Sequence, residues 1–529
     1  MLVDTLSGRL CNKSEQATAF ESMPAFSKLI LSMTTHIDHA LIEQVVGKFY
    51  RYTTFSHTWE GNEPLYEKVI RIMVYDLEVS PTHKKLQMFC KIVREEGFHW
   101  AWSDTCCINK GDHFVLQEAL VSMFKWYEGS AMTIIFLCDV DRRAKLGALM
   151  MSIWNLRGWT LQEYHASKVV RIYTKDWTPY LGLTIYNHKE SPEIISEMEQ
   201  ATGILAQALM AIRPGLNDVR QKLRLASTRH TTRVEDAAYS LLGIFSMSLP
   251  VTYGEGDKAL GRLLSQLLTN SGDTSILAWT GSPNSFNSSL PTDIAVFSQP
   301  LTSHIPPAIA DVEMGTITAG LRASSLDLNV IIRLYDQLDR LPTPFFLGQR
   351  MKLPCLAFAI KTISFSQNES EFVFRAQAGA LGAVEIKTKQ NLMWMDSLCL
   401  IHPWIDFLLD RHAARNMVAS DKDETPELKE FRSFDSFTDP SRTLHADHLD
   451  ATSLASSPAL LSVDAQMRVY EFLARLKQPF GALLLTSTRR NVAEYRRVAT
   501  ESLITVQVEE ITSATLDVLM QGVRLLDVL

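Results

Sequence analysis

Side chains that could bind or transform a small molecule follow two predicted strands in the N-terminal part of the sequence. Ser56, His57 and Trp59 come directly after a short β-branched and aromatic segment, and Asp104 follows an aromatic-rich one. A histidine can act as a general base, and a carboxylate can accept hydrogen bonds from sugar hydroxyls. Each also has a structural interpretation. A histidine after a strand commonly satisfies local hydrogen bonds, and Asp104 can cap the turn that follows it.

Two adjacent cysteines offer a second chemistry. Cys106 or Cys107, together with His57 or His99, could form a thiolate–imidazole pair for nucleophilic catalysis. Adjacent cysteines at a strand end are more often small buried apolar residues, so we favour a structural role. The seven cysteines are sparse and lack metal-ligand spacing, which is typical of free thiols in a reducing compartment and predicts no metal site.

An alternating framework of strands and helices would bring the strand-end residues together. The pattern predicts strands at 52–58, 98–103, 133–138 and 168–173, and helices at 63–75, 83–94, 146–154 and after Asp112. Such alternation predicts a parallel sheet, whose functional groups gather beyond the carboxyl ends of the strands. Ser56, His57 and Asp104 follow two of those ends, and Asp139 follows a third.

The rest of the chain predicts further regions. The expected organisation is a partly helical preface at 1–48 with a helix from Phe26 to Val46, an α/β domain at 49–180, a helical region at 190–280, a β-rich domain at 285–410, a polar linker or insertion at 418–457 and an α/β tail at 458–529. In the helical region, Thr232 and Glu235 fit a capping box at the start of a helix.

Composition limits the class of protein. The chain has 529 residues, of which 46% are hydrophobic and 21% charged, so it has ample material for globular cores. The net charge of −7 argues against a general nucleic-acid binder, which needs a basic excess. We see neither a signal peptide nor an apolar run of the ~20 residues that a membrane helix needs. A cytoplasmic protein without a membrane span is therefore expected.

Four motifs occur in order across the α/β region. They are Ser56-His57-Thr58-Trp59-Glu60, the Trp-x-Asp-x-x-Cys-Ile-Asn segment from Trp102 to Asn109, the Ser-Met-x-x-Trp-Tyr segment from Ser122 to Tyr127, and Arg-Gly-Trp-Thr-Leu-Gln-Glu from Arg157 to Glu163. Any one would be a weak signal, whereas their order is a strong one. Together they resemble the fungal heterokaryon incompatibility (HET) family.

The helical region carries a second set of familiar residues. They include Arg229, Thr231-Thr232-Arg233, Glu235-Asp236 and Tyr253-Gly254-Glu255-Gly256. This block is similar to a domain of unknown function that follows HET domains in proteins of mushroom-type fungi, the basidiomycetes. Residues 12–48 depart from that pattern, because HET proteins of this type usually reach the first strand sooner.

HET domains in turn resemble TIR signalling domains, which implies a TIR-like, flavodoxin-like parallel sheet. Some TIR domains hydrolyse NAD with a Trp-Cys-x-x-Glu motif. The segment from Trp159 to Glu163 keeps the Trp-to-Glu spacing and lacks the cysteine. Cleavage of the nicotinamide–ribose bond creates an oxocarbenium-like centre that a carboxylate stabilises, and the cationic leaving group needs no protein acid.

The resemblance therefore implies a set of roles around NAD as a substrate, with no cofactor. Glu163 would be the catalytic carboxylate, and the substrate-binding residues would be Ser56, His57, Trp59, Asp104, Arg157 and Trp159. The alternative is structural and is the one we favour: Glu163 caps a helix or pairs with Arg157, and Trp159 belongs to the core.

Three functions stay open at this point. The first is a HET signalling protein of non-self recognition and programmed cell death, which would self-associate through its HET domain and meet protein partners through its C-terminal region. The second is an NAD glycohydrolase of TIR type. The third is a binding protein without catalytic activity.

Overall fold

A computed structural model describes residues 1–32, 37–299, 326–368, 371–395, 397–403, 462–488 and 491–529. Their contacts divide the chain into two units, Met1–Leu301 and Thr302–Leu529. The predicted linker at 418–457 lies outside the described residues. Within the described ranges, no helix combines the length and the apolar character needed to cross a bilayer.

The first unit is built on a six-stranded sheet with the order β2-β1-β4-β3-β5-β6. Its strands are β1 (Leu2–Asp4), β2 (Leu10–Cys11), β3 (Tyr52–His57), β4 (Trp100–Trp102), β5 (Met132–Leu137) and β6 (Val170–Thr174). β4, β3, β5 and β6 run parallel, whereas β1 is antiparallel to β2 and to β4. All of β5 is buried, as its continuous apolar run predicts for the middle of a sheet. The predicted α/β class with parallel strands is confirmed.

Helices cover both faces of this sheet. They are α1 (Lys13–Glu21), α2 (Pro24–Ser32), α3 (His39–Tyr50), α4 (Tyr66–Val69), α5 (Pro81–Glu95), α6 (His113–Glu128), α7 (Ala148–Met151) and α8 (Gly158–Ala166). Phe89 of α5 stacks on Phe55 with 4.3 Å between ring centroids. Glu163 of α8 bonds instead to Ser56. Since neighbouring side chains of a strand point to opposite faces, β3 carries one set of contacts on each side.

The strongest local signals gave correct elements. The four parallel strands lie where the sequence predicts them, within a few residues at their ends. The predicted helix at 83–94 is α5, and Asp112 caps α6 by accepting hydrogen bonds from the backbone N–H groups of Phe114 and Val115.

Two predicted helices are largely wrong. In place of a helix at 63–75, the chain forms only the single turn of α4 and a 3₁₀ turn at Val74–Asp76. The apolar residues of this stretch share no buried face, and Ile70, Ile72 and Met73 are all at least 40% exposed. The helix predicted at 146–154 shrinks to α7, because the Asp139 carboxylate accepts from Ser152 Oγ (2.7 Å) and from the Ile153 N–H (2.8 Å) beyond it.

The N-terminal preface differs from its prediction in detail. The single helix predicted from Phe26 to Val46 is wrong, because α2 ends at Ser32 and α3 starts at His39; residues 33–36 lie outside the described ranges. Phe20, Phe49 and Trp100 form a common core between these helices and β4. β1 and β2 were not predicted, because strands of two or three residues have no measurable period.

The helical region packs on the sheet unit without a break. Its helices are α9 (Pro192–Thr202), α10 (Ala206–Ala211), α11 (Val219–Ala226), α12 (Asp236–Tyr239) and α13 (Lys258–Ser271). The capping box at Thr232 is wrong: Glu235 Oε1 accepts from the backbone N–H groups of Gly254 (2.8 Å) and Gly256 (3.1 Å) instead. Glu235 therefore connects the Gly254–Gly256 loop to the start of α12 and does not form a capping box with Thr232.

The second unit contains a mainly antiparallel sheet and, among its described residues, three helices. Its elements are α14 (Leu328–Asp339), β7 (Phe345–Leu347), β8 (Arg350–Asn368), β9 (Glu371–Ala378), β10 (Ala383–Thr388), β11 (Cys399–Pro403), α15 (Val463–Leu476), β12 (Phe480–Thr488), β13 (Asn491–Arg497), β14 (Ile504–Val506), α16 (Ser513–Gly522) and β15 (Val523–Val528). β15 pairs with both β13 and β8, so the pairings among β8, β11, β12, β13 and β15 close on themselves. Strands from both sides of the predicted linker at 418–457 thus belong to one sheet.

Substitution of Gly243 tests how closely the helical region packs on the sheet. A Cβ at Gly243 would overlap the Phe124 side chain of α6. We expect Gly243→Ala to lower the free energy of unfolding by about 1–3 kcal/mol, because overpacking forces neighbours out of their rotamers. Gly47→Ala is the matched control, since nothing lies within 4 Å of a Cβ there. Equal denaturant midpoints for wild type and Gly243→Ala would contradict this close contact.

Candidate functional site at the strand ends

The topology of the parallel strands marks an expected ligand crevice at their carboxyl ends. The first crossover runs from β3 to β4 on one side, and the next passes from β4 back over β3 to β5 on the other side. In open α/β sheets, ligands bind beyond the strand ends where the order reverses in this way. Here that point lies between β3 and β5, where Thr58 Oγ1 is 2.9 Å from Cys138 Sγ.

Glu163 is buried under this edge and bonds directly to β3. The residue is 7% exposed, and its Oε2 accepts a 2.5 Å hydrogen bond from Ser56 Oγ. Ser56 Oγ in turn accepts from Trp154 Nε1 at 2.8 Å. The predicted alternatives for Glu163 are not seen among the described residues, since it lies inside α8 rather than at a helix end and forms no ion pair with Arg157.

Burial decides the protonation state of Glu163. The Tyr127 hydroxyl donates to the Phe55 carbonyl at 2.9 Å and also interacts with Glu163. Burial, and next the negative charge of Asp104, raises the pKa of Glu163 to about 8, whereas the hydrogen bonds of Ser56 and Tyr127 lower it. The effect of burial is the larger one, so the carboxyl is mostly protonated at neutral pH.

His57 lies on the other face of the sheet. Its ring stacks on Phe55 with 4.3 Å between centroids, and its Nδ1 is 3.0 Å from the Thr58 carbonyl. Burial, and next the positive charge of Lys85, lowers the pKa of His57 well below its ordinary value, so the ring is neutral at neutral pH. Its Nε2 lies 3.7 Å from Asp104 Oδ1, too far for a hydrogen bond.

Asp104 lies at the solvent-exposed rim of the site, near residues on both faces of the sheet. Its Oδ2 accepts from Trp59 Nε1 at 3.1 Å, and Lys110 Nζ lies 3.5 Å from the centre of the Trp59 ring. The same carboxylate acts on Glu163 through its charge and lies near His57. Trp59 is 38% exposed, so this part of the site is open to solvent.

Arg157 and Trp159 are placed differently. Arg157 is the N-cap residue of α8, and its positive charge lowers the pKa of both Glu163 and His57, in each case as a minor cause. The Trp159 side chain interacts with the carboxyl of Asp236, whose pKa burial raises and Trp159 lowers. The indole that approaches the Glu163 network is that of Trp154, through Ser56.

A buried lysine supports the loop after β3 and was missed in the sequence. Lys85 Nζ donates to the Thr58 carbonyl (3.1 Å), Glu60 Oε2 (2.8 Å) and Glu63 Oε1 (2.5 Å). Its side chain is 3% exposed. Helical spacing gives a usable signal, because Lys85 lies four residues before the buried Phe89 and therefore on the core face of α5.

Arg229 of the helical region fixes the start of α8. Its guanidinium donates to the Arg157 carbonyl at 3.0 Å, to Thr160 Oγ1 at 2.9 Å and to Asn155 Oδ1 at 2.9 Å. The Gly158 N–H donates to the His230 carbonyl, and a Cβ at Gly158 would lie 2.5 Å from the Thr231 side chain. The segment that carries Glu163 is thus positioned by residues outside the α/β region.

The cysteines show no nucleophilic arrangement. Cys106 and Cys107 are buried; the interaction with the Cys107 thiol, and next burial, raises the pKa of Cys106, whereas the pKa of Cys107 is lowered, because the hydrogen bond with Cys106 and other favourable contacts together outweigh burial. Across the described part of the chain, neither thiol hydrogen-bonds to a histidine; Cys107 Sγ accepts from the Ser103 N–H. Nor do the described residues contain a group of three or more His, Cys, Asp or Glu side chains that could hold a metal ion.

Comparison with known proteins gives a match for most of the α/β region. Residues 52–152, which include Ser56, His57 and Asp104 and end before Glu163, match the family model described as "Heterokaryon incompatibility protein (HET)", so the chain carries a region similar to that family. It is similar to the "Vegetative incompatibility protein HET-E-1" of Podospora anserina, with 35% identity over 227 residues. That match covers 41% of this chain and 16% of the relative, so the chain spans well under a fifth of that protein. No solved structure matches.

The raised pKa of Glu163 predicts a pH-dependent effect of Glu163→Gln. Between the ordinary value of 4.5 and about 8, the folded protein keeps a proton that the unfolded chain has released. Wild-type stability therefore falls across this window as the pH rises, by up to several kcal/mol, and the variant lacks that loss. In urea unfolding experiments from pH 5 to 8.5, the free energy of unfolding of the variant relative to wild type should increase with pH. Parallel curves would mean that Glu163 is ionised in the fold.

Proposed function

We propose that this HET-domain protein acts in fungal non-self recognition, as a trigger of vegetative incompatibility. The observation that carries the proposal is the match of residues 52–152 to the HET model, reinforced by a relative whose name states vegetative incompatibility. Arg229 and the Gly158–His230 hydrogen bond also connect the α/β region, which contains this match, to the helical region. The HET domain acts by self-association in the cytoplasm, the C-terminal region receives protein partners, and cell death follows.

Controlled clustering tests this function. The full chain, fused to a chemically induced dimerisation domain, is expressed in a filamentous fungus, and dead cells are counted with a vital dye. We expect death only when the dimeriser is added, because clustering supplies the self-association step. Gly243→Ala should weaken the response and Gly47→Ala should leave it intact. Normal growth of clustered wild-type cells would instead favour a non-catalytic binding protein.

A second candidate is hydrolysis of NAD at the strand ends, and the Glu163 network favours it. The parallel strands follow the order 2-1-3-4 in sequence, as in flavodoxin-like sheets and as expected for a TIR-like domain. Glu163 is neutral at rest, but a cationic nicotinamide ring beside it would lower its pKa and favour the carboxylate. The candidate substrate-binding set comprises Trp59 and Asp104 at the open rim, together with Ser56, His57, Arg157 and Trp159.

In this reaction each residue would have a defined task. The Glu163 carboxylate would stabilise the oxocarbenium-like ribose as the bond to nicotinamide breaks, and water would complete hydrolysis. Ser56 would hold the carboxylate in place, and Trp154 would hold Ser56. Asp104 could accept from ribose hydroxyls, in place of its present bond to Trp59.

Nicotinamide release decides between the two candidates. Purified protein, clustered and unclustered, is incubated with NAD, and nicotinamide is followed by chromatography. If the enzyme proposal holds, Glu163→Gln should lower the rate at least about a hundredfold, since it removes the charge and keeps the shape. Glu128→Gln, an exposed change on α6, is the matched control. Cell death that survives Glu163→Gln, or clustered wild type without nicotinamide release, would leave signalling by assembly alone.

A further inference from the structure

A cavity of about 550 Å³ lies on the N-terminal side of the sheet, away from the strand-end crevice. Pockets that bind small molecules typically measure about 300–1,000 Å³. The cavity is lined by residues of α1, α2 and α3, by the turn after β1 and by the chain that leads into β4. Phe98 and His99 border it at the amino end of β4, whereas Asp104 follows the carboxyl end of that strand. It is therefore a separate site.

The cavity has an apolar interior and a basic border. Phe20, Met23, Val45 and Phe49 supply the apolar surface, and Lys48 and Arg94 also line the space. None of the described lining residues is a carboxylate. Within the described part of the chain, neither cation forms an ion pair; the Arg94 guanidinium lies 5.9 Å from the centre of the Tyr75 ring. Two cations without counter-charges, beside an apolar space, are complementary to an amphipathic anion.

The segment that builds this cavity precedes the region that matches the HET model. Residues 12–48 provide α1, α2 and most of α3, whose apolar residues pack around Phe20 and Phe49. The cavity opens to solvent, because Gln44, Lys48 and Arg94 among its lining residues are exposed.

We propose that this cavity binds an amphipathic organic acid, with its apolar body against Phe20, Met23 and Val45 and its carboxylate at the basic border that Lys48 and Arg94 provide. Burial of the apolar body supplies the affinity, and the two cations select for the anionic head over a neutral one. The site is independent of the Glu163 chemistry and of the proposed incompatibility function.

Calorimetric titration with decanoate tests the proposal on the full chain. We expect saturable binding with one site per chain. Lys48→Gln/Arg94→Gln should weaken decanoate binding at least about tenfold, because two charge-assisted contacts are lost, while binding of 1-decanol stays unchanged. Arg143→Gln/Lys145→Gln, in the exposed loop after β5, is the matched control with the same charge change and should bind decanoate as wild type does.

Two further variants separate loss of the site from loss of the fold. Val45→Trp should fill the cavity and abolish binding of both ligands. Gln44→Glu, at an exposed lining position, should weaken decanoate alone, and its unfolding midpoint shows that the fold is retained. No decanoate binding by wild type would overturn the proposal, as would binding that survives Val45→Trp. Equal losses of decanoate and decanol in the charge variant would overturn the anionic assignment.

Discussion

The first unit depends on one constraint, that a carboxyl group removed from water must be neutral or fully bonded. Glu163 satisfies it by keeping its proton and by bonding to Ser56 of the central strand, with Tyr127 in reach from α6. The Ser167 hydroxyl donates to the Glu163 carbonyl at 2.6 Å, which fixes the end of the same helix. One acid thereby ties α6, α8 and β3 together. At a fixed pH near neutrality, a ligand that changes the field around this group would change its charge.

The parts of this arrangement that could be predicted are those encoded by local pattern. The apolar run of β5 and the amphipathic face of α5 gave correct elements because burial repeats along each of them. Placing Ser56, His57 and Asp104 at neighbouring strand ends followed from the parallel sheet alone. What could not be predicted was which face each side chain takes and what it meets there. Ser56 and His57 are adjacent in the chain, yet one contacts Glu163 and the other stacks on Phe55.

The remaining features come from long-range contacts. Trp154 was assigned to a helix, but Asp139 ends that helix early and leaves the indole free to reach Ser56. The role of Arg229 depends on carbonyl and amide groups more than sixty residues away in sequence. No period or motif encodes such a partner. Within the motif from Arg157 to Glu163, the Trp159 side chain interacts with Asp236, whereas Trp154, outside the motif, donates to Ser56.

The closed pairing of the second unit has a consequence for biosynthesis. β8 is made early, but one of its two long-range neighbours is β15, which follows α16. While the ribosome is still translating the intervening residues, β8 and β13 each present an unsatisfied edge, and such edges recruit strands from other nascent chains. The sheet of this unit can close only after β15 has been made, whereas the strands of the first unit are complete at β6. Truncated chains that end before β15 would therefore combine a complete set of first-unit strands with a second-unit sheet that has unpaired edges. Such chains would be substrates for chaperones and proteases.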